Sequence, residues 1–141
     1  MIKIEPTTLF GRPHFRVITP GATWFYDAAG GGFSKMIDPD GIDWIRFKPD
    51  PLSEFPASAA AGYRGMPNAV YQGGDGGAGH PGFDQCVTEF IAPATLHSTS
   101  RSGLWEWEWT FFEDRAEFNL TRADPDRAWW FLFEGNPGGQ F

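Results

Sequence analysis

Two glutamates separated by a single residue are the first groups in this sequence that could do chemistry. Glu106 and Glu108 alternate with tryptophans between Leu104 and Phe111, and strict alternation of apolar and polar residues predicts a β-strand. Both glutamates then lie on one face of the strand, with Cα atoms about 6.7 Å apart. Glycoside hydrolysis uses two carboxyl groups roughly 5–9 Å apart, one as acid and one as nucleophile or base. The alternative is an ordinary solvated strand face.

A long loop carries the other groups that could do chemistry. Residues 48–83 hold eight glycines and five prolines with little periodicity, and loops of this length in compact domains are commonly functional. His80 is a titratable group among glycines, and Arg64 can pair with a carboxylate of a sugar or of the chain itself. The candidate catalytic residues are therefore His80, Arg64, Glu106 and Glu108, and the alternative for His80 is a solvated or capping loop residue.

The same loop is predicted to form the wall of a ligand site. Tyrosine offers a stacking face with a polar tip, and glycine lets the backbone approach a ligand closely. Arginine and histidine add a charged and a titratable group. The predicted ligand-binding residues are Tyr63, Arg64, Tyr71, His80 and Asp84.

Composition argues against several classes of partner. A net charge of −7 disfavours nucleic acid, because phosphate binding needs clustered lysine and arginine. No apolar run approaches the roughly 18–20 residues of a membrane-spanning helix. The three histidines lack metal-ligand spacing and Cys86 has no partner cysteine, so we predict no metal site and no cofactor. An acidic, tryptophan-rich chain suits neutral ligands such as sugars, and nothing in it indicates a compartment.

The segments that must position the candidate site residues are predicted to be β-strands. Residues 2–4 predict a short edge strand that ends at Pro6, and residues 38–41 form a strong turn signal. That turn predicts a hairpin over residues 33–47. The other predicted strands span residues 14–19, 22–27, 84–92 and 95–100.

Residues 104–134 predict three consecutive antiparallel strands, at residues 104–111, 116–121 and 128–133. One face of the first carries Trp105, Trp107, Trp109 and Phe111, which we expect to be buried in a core; the alternative is a platform for stacking sugars. The third strand is apolar on both faces, so we expect both to be covered. That cover could come from the long loop, a second copy of the chain or sequence beyond residue 141. A homo-oligomer through residues 128–133 is therefore one of three alternatives.

These patterns predict an all-β fold, an antiparallel β-sandwich with one long Gly/Pro-rich loop, in a single domain over residues 1–141 that could belong to a longer chain. Within residues 14–47, a strand ending near Asp27, a glycine-rich bend, the stretch 33–38 and the turn Asp40-Gly41 together resemble the opening of galactose-mutarotase-like β-sandwich domains. Such domains occur in sugar epimerases, polysaccharide lyases and some glycoside hydrolases. The resemblance implies sugar-related chemistry. The chain has about half the length of a full domain of this kind, and no catalytic residue of the family matches a position here.

The predicted function is recognition of a glycan or small sugar, either by an independent domain or by part of a carbohydrate-active enzyme. One alternative is a lyase, epimerase or hydrolase acting through His80, Arg64 and an acidic partner. Another is a structural or assembly module, which would explain the aromatic strands without any ligand.

Overall fold

The computed structural model of the chain describes residues 1–49, 68–71, 75 and 77–132. Within them the fold is all-β, with two four-stranded antiparallel sheets and one two-stranded sheet. The first sheet holds β1 (Lys3–Leu9), β2 (Arg12–Ile18), β3 (Thr23–Asp27) and β4 (Gly32–Ile37). The second holds β6 (Cys86–Ile91), β7 (Thr95–Ser100), β8 (Glu106–Phe111) and β9 (Ala116–Arg122), and β5 (Asn68–Tyr71) pairs with β10 (Trp129–Leu132). In this part of the chain no helix is long and apolar enough to span a membrane.

The two four-stranded sheets pack face to face around an aromatic interior. The predicted burial of the β8 face is confirmed, since Trp105, Trp107, Trp109 and Phe111 are at most 4% exposed. The ring of Phe33 on β4 lies 4.9 Å from that of Trp109. We call the interior aromatic cluster the set Tyr26, Phe33, Trp105, Trp107, Trp109 and Phe111.

One hydrogen-bonded contact joins the sheets inside this cluster. Nε1 of Trp107 donates to Oη of Tyr26 at 3.0 Å, and Oη of Tyr26 lies 2.8 Å from Oγ of Ser98. Every polar atom of this buried group therefore has a partner, which is what a low-dielectric interior requires. The contact fixes how β3 lies over β7 and β8.

Two strand predictions in the first sheet need correction. β1 does not stop at Pro6 but continues to Leu9, because a proline is tolerated on an edge strand where its nitrogen needs no partner. The predicted hairpin over residues 33–47 has only its first strand. After β4, a single bridge joins Ile37 to Asp43, and residues 44–47 leave the sheet.

The predicted three-stranded meander is wrong in its third strand. β8 pairs with β9, but β10 pairs with β5 and not with β9. The strand is also not covered on both faces within one chain, since Trp129, Trp130 and Phe131 are 40%, 44% and 40% exposed. Phe131 contacts Trp109 and Phe118 with ring centroids 6.0 and 5.1 Å away. Self-association through this strand stays a prediction.

The predicted loop over residues 48–83 is described only in part, because residues 50–67, 72–74 and 76 lie outside the described residues. β5 interrupts the stretch that the sequence suggested was without strands. Residues 77–83 pack on the outer side of the first sheet, where the glycines of residues 30–32 meet them.

Candidate functional site

The outer face of the second sheet holds the two predicted catalytic glutamates. Glu106 and Glu108 are neighbours on β8, and His97 on β7 lies between their side chains. Nδ1 of His97 is 3.2 Å from Oε1 of Glu108, and its Nε2 is 3.9 Å from Oε1 of Glu106. Nε of Arg122 lies 3.4 Å from the other oxygen of Glu106. The structure thus brings two predicted residues together with a histidine and an arginine that the sequence did not single out.

This arrangement leaves little room for a glycosidic bond. The two nitrogens of His97 face different carboxylates, so its ring occupies the gap in which a bond under attack would have to lie between acid and base. Each carboxylate is also engaged by a neighbour. The geometry describes an ion-pair and hydrogen-bond network on a strand face, and the catalytic role predicted for Glu106 and Glu108 stays a prediction.

Two glycine-rich segments meet on the other side of the molecule. The amide of Gly79 donates to the carbonyl of Gly30 at 2.9 Å. A Cβ added to Gly32 would lie 2.5 Å from the carbonyl oxygen of Gly79, and one added to Gly30 would lie 2.4 Å from that of His80. The sequence suggested that the loop glycines, Gly79 among them, let the backbone approach a ligand. In the structure they let one segment of the chain approach another.

A buried carboxylate fastens this junction to the first sheet. Asp27 is fully buried and accepts hydrogen bonds from Nε of Arg12 at 2.7 Å and from the amide of Gly82 at 2.8 Å. Burial alone would raise the pKa of Asp27, but hydrogen bonds from Arg12, Gly82 and Gly30 outweigh burial and lower it. The same guanidinium lies 2.9 Å from Oδ1 of Asp84, so this predicted ligand residue already has a partner.

His80 sits at the surface end of the junction. Its Nδ1–H donates to the carbonyl of Pro81 at 2.8 Å. Its ring lies edge-on to Phe47 and Phe83, with centroids 6.1 and 5.6 Å away. The imidazole is therefore held among aromatic rings, and its predicted roles in catalysis and ligand binding stay predictions.

A second histidine, His14, is hydrogen-bonded to a serine as in a nucleophilic Ser–His pair, but both side chains are buried. Nδ1–H of His14 donates to the carbonyl of Arg12 at 3.0 Å, so its Nε2 accepts from the hydroxyl of Ser34 at 2.8 Å. His14 and Ser34 are 2% and 0% exposed. Burial lowers the pKa of His14. With no route for a substrate, this pair stabilises the fold.

The remaining predicted ligand residues do not form a described site. Tyr63 and Arg64 lie outside the described residues. Tyr71 is 4% exposed, and its ring stacks on Trp105 with centroids 4.6 Å apart. Its hydroxyl and Nε1 of Trp105 are both buried and have no hydrogen-bond partner among the described residues. The ring face that was expected to meet a ligand is occupied by the interior aromatic cluster.

An exposed tryptophan that sequence reasoning missed follows the turn at residues 38–41. Trp44 is 55% exposed, yet its Nε1 donates to Oδ2 of Asp38 at 2.8 Å. The other oxygen of Asp38 accepts from the amides of Asp40 and Ile42 at 3.0 and 2.9 Å. One carboxylate therefore fixes both the turn and the ring, and these bonds lower the pKa of Asp38, the one from Trp44 most.

Two more exposed rings lie around the buried ring of Phe47, which follows Trp44 by three residues: Phe10 contacts it directly, and Phe83 is connected to it through His80. Phe10, 41% exposed, lies 6.1 Å from Phe47, and the ammonium of Lys35 lies 5.8 Å from its centroid. Lys35 in turn lies 3.3 Å from Oδ2 of Asp43, the residue before Trp44. Phe83, 40% exposed, rests on Gly77, where an added Cβ would lie 2.4 Å from its ring. We call the outer aromatic surface the set Phe10, Trp44 and Phe83.

The backbone of this region is strained at two positions. Among the described residues, Phe10 and Arg46 are the non-glycine residues with left-handed φ, at 54° and 55°. Such a conformation costs of order 1–3 kcal/mol and clusters at functional sites. Both residues lie next to the buried ring of Phe47, either by contact or in the chain.

The described residues contain no group of three or more His, Cys, Asp or Glu side chains placed to hold a metal ion. No protein-family model, curated protein or solved structure matches this chain.

Proposed function

We propose that this domain recognises carbohydrate and that the sugar binds on the outer aromatic surface. The observation that carries the proposal is Trp44, an indole that is 55% exposed and yet fixed by Asp38. An exposed tryptophan that is held in one orientation can act as an aromatic anchor for a ligand.

An indole of this kind fits the chemistry of a sugar. One face of a pyranose ring presents C–H groups that pack against an aromatic face, while its hydroxyls stay available for polar contacts. A ring whose orientation is already fixed loses little conformational freedom on binding, and less of the interaction energy is spent on ordering it. The turn that carries Trp44 is fixed by the same carboxylate, so the surface is preorganised.

The test is a glycan array followed by calorimetric titration of the bound sugars. Trp44→Ala should weaken binding by about 30-fold or more, since truncating an aromatic anchor commonly costs at least about 2 kcal/mol. Trp130→Ala is the matched control, because Trp130 is 44% exposed and lies on β10, which belongs to a different sheet from β4. It should bind like the parent.

The controls separate the outcomes. Binding that survives Trp44→Ala but not Trp130→Ala would move the site to β10. A parent protein that binds no glycan on the array would overturn the proposal. Turnover of a bound glycan would instead support the alternative of a catalytic lyase, epimerase or hydrolase.

A further inference from the structure

Among the residues that the structure describes, an arginine close to Trp44 in the chain has no ionic partner. Lys35 is paired with Asp43, and Arg12 is paired with both Asp27 and Asp84. Arg46 is exposed, and within the described residues its guanidinium makes no ion pair. An exposed guanidinium with no ionic partner in this part of the chain is available to bind an anionic group of a ligand.

Arg46 follows the exposed indole by two residues, and both side chains are exposed. Burial alternates along this stretch, with Trp44 and Arg46 exposed and Ile45 and Phe47 buried. The turn is held by Oδ1 of Asp43, which accepts from the amides of Ile45 and Arg46 at 3.1 and 3.2 Å. The left-handed φ of Arg46 is a strain that these contacts maintain.

We infer that the glycan is acidic and carries uronate units, with one sugar ring on Trp44 and a carboxylate bound by Arg46. This inference rests on the proposed function. A guanidinium matches a carboxylate with two parallel N–H···O hydrogen bonds, which a neutral hydroxyl cannot reproduce. The net charge of the chain suggested a neutral ligand. Charges farther than about 8 Å from a ligand are screened at physiological salt, so the charge of the nearby Arg46 matters more for the choice of ligand than the net charge.

The carboxylates beside the indole limit the charge density of the ligand. Asp38 and Asp40 belong to the same turn, and Asp40 is exposed. A densely sulfated chain would bring anions close to both. A uronate chain has one carboxylate for each acidic sugar and can direct it to Arg46, so we expect uronates to bind more tightly than heavily sulfated oligosaccharides.

The experiment uses the intact chain and matched pairs of ligands. The ligands are galacturonate, glucuronate, mannuronate and guluronate oligosaccharides, each with its methyl ester, which removes the charge and keeps the sugar. The parent should bind at least one acid about tenfold or more tighter than its ester. Arg46→Gln should abolish that preference, Arg46→Lys should keep part of it, and Trp44→Ala should weaken both acid and ester.

Each failure has a separate meaning. If acid and ester bind the parent equally, if Arg46→Gln keeps the preference, or if only neutral glycans bind, the inference about uronates is overturned and carbohydrate recognition stands. Tighter binding of a heavily sulfated oligosaccharide than of every uronate would also overturn it. If neither uronates nor neutral glycans bind, the proposed function itself fails.

Discussion

The interior aromatic cluster and the outer aromatic surface use the same residue types for opposite purposes. In the interior, Trp107 is fully buried and its indole nitrogen is bonded to Tyr26. On the outside, Trp44 is 55% exposed and its indole nitrogen is bonded to Asp38. Both rings are fixed by a hydrogen bond, but only the second is exposed to solvent.

The difference comes from the backbone that carries each ring. The interior tryptophans alternate along β8, so the pleat of the strand sends them all to one side. Trp44 follows a turn in which only one bridge, between Ile37 and Asp43, continues the sheet. A ring on a regular strand takes part in the common packing, whereas a ring on a turn can be held outside it. Aromatic content alone therefore says little about function.

The largest expected effect is the loss of stability on truncating an interior ring. Trp107→Ala should lower the free energy of unfolding by about 3–5 kcal/mol, because it removes a fully buried ring and leaves a cavity. Trp44→Ala should change it by no more than about 0.5 kcal/mol, as exposed positions commonly do. Urea unfolding of both variants measures the contrast, and similar midpoints for the two would show that the division into inside and outside is wrong.

A glycine pair tests how closely the interior is packed. Gly31 and Gly41 both have left-handed φ, at 75° and 85°, but a Cβ on Gly31 would lie 2.5 Å from Trp107 and one on Gly41 meets nothing within 4 Å. Gly41→Ala should cost about 1–2 kcal/mol for the backbone alone. Gly31→Ala should cost about 1–3 kcal/mol more, because the core is overpacked. Equal losses in thermal unfolding would mean that Trp107 can move aside.

The same contrast explains how much the sequence could predict. Alternation over β8 predicted a buried face because period-two patterns depend only on neighbouring residues. Within residues 42–47, both the even-numbered and the odd-numbered positions include large apolar side chains. The alternation therefore could not predict that Ile45 and Phe47 are buried while Ile42 and Trp44 are exposed. Exposure there depends on Asp38 and on the glycines of a segment more than thirty residues away.

Pairing between distant strands was equally out of reach. β10 follows β9 closely in sequence, and a short connection favours pairing of neighbours, yet β10 pairs with β5. The surroundings of the predicted site residues were out of reach for a related reason. Glu106, Glu108 and Tyr71 have side-chain chemistry that fits a ligand, but His97 and Trp105 occupy the faces that a ligand would need.

Within the interior, two tyrosines should respond differently to loss of the hydroxyl. Tyr26→Phe should cost about 1–3 kcal/mol, because the indole N–H of Trp107 would be left buried and unpaired. Tyr71→Phe should be close to neutral or stabilising, because the hydroxyl of Tyr71 has no hydrogen-bond partner in the part of the chain that the structure describes. Chemical unfolding of the two variants checks this, and a loss for Tyr71→Phe as large as that for Tyr26→Phe would reveal a bound water or another partner.

The smallest expected effect is an acid sensitivity on the outer side of the first sheet, where His14 pairs with Asp27 across β2 and β3. Burial lowers the pKa of His14, so the unfolded chain binds the proton more readily than the folded one. The stability that this provides is complete above the unfolded pKa of about 6.5 and is lost as the pH falls below it.

The pKa of Asp27 is also lowered, and its contribution is present above an unfolded pKa of about 3.9 and is lost at lower pH. One proton changes the free energy of unfolding by at most about 1.4 kcal/mol for each pH unit. Urea midpoints between pH 7 and pH 3 should therefore fall in two steps. His14→Gln, whose amide can still accept from Ser34, should remove the first step and keep the second. If the urea midpoint of the parent is constant from pH 7 to pH 5, protonation of His14 does not lower the free energy of unfolding. In that case Nε2 of His14 does not accept a hydrogen bond from Ser34 in a buried site.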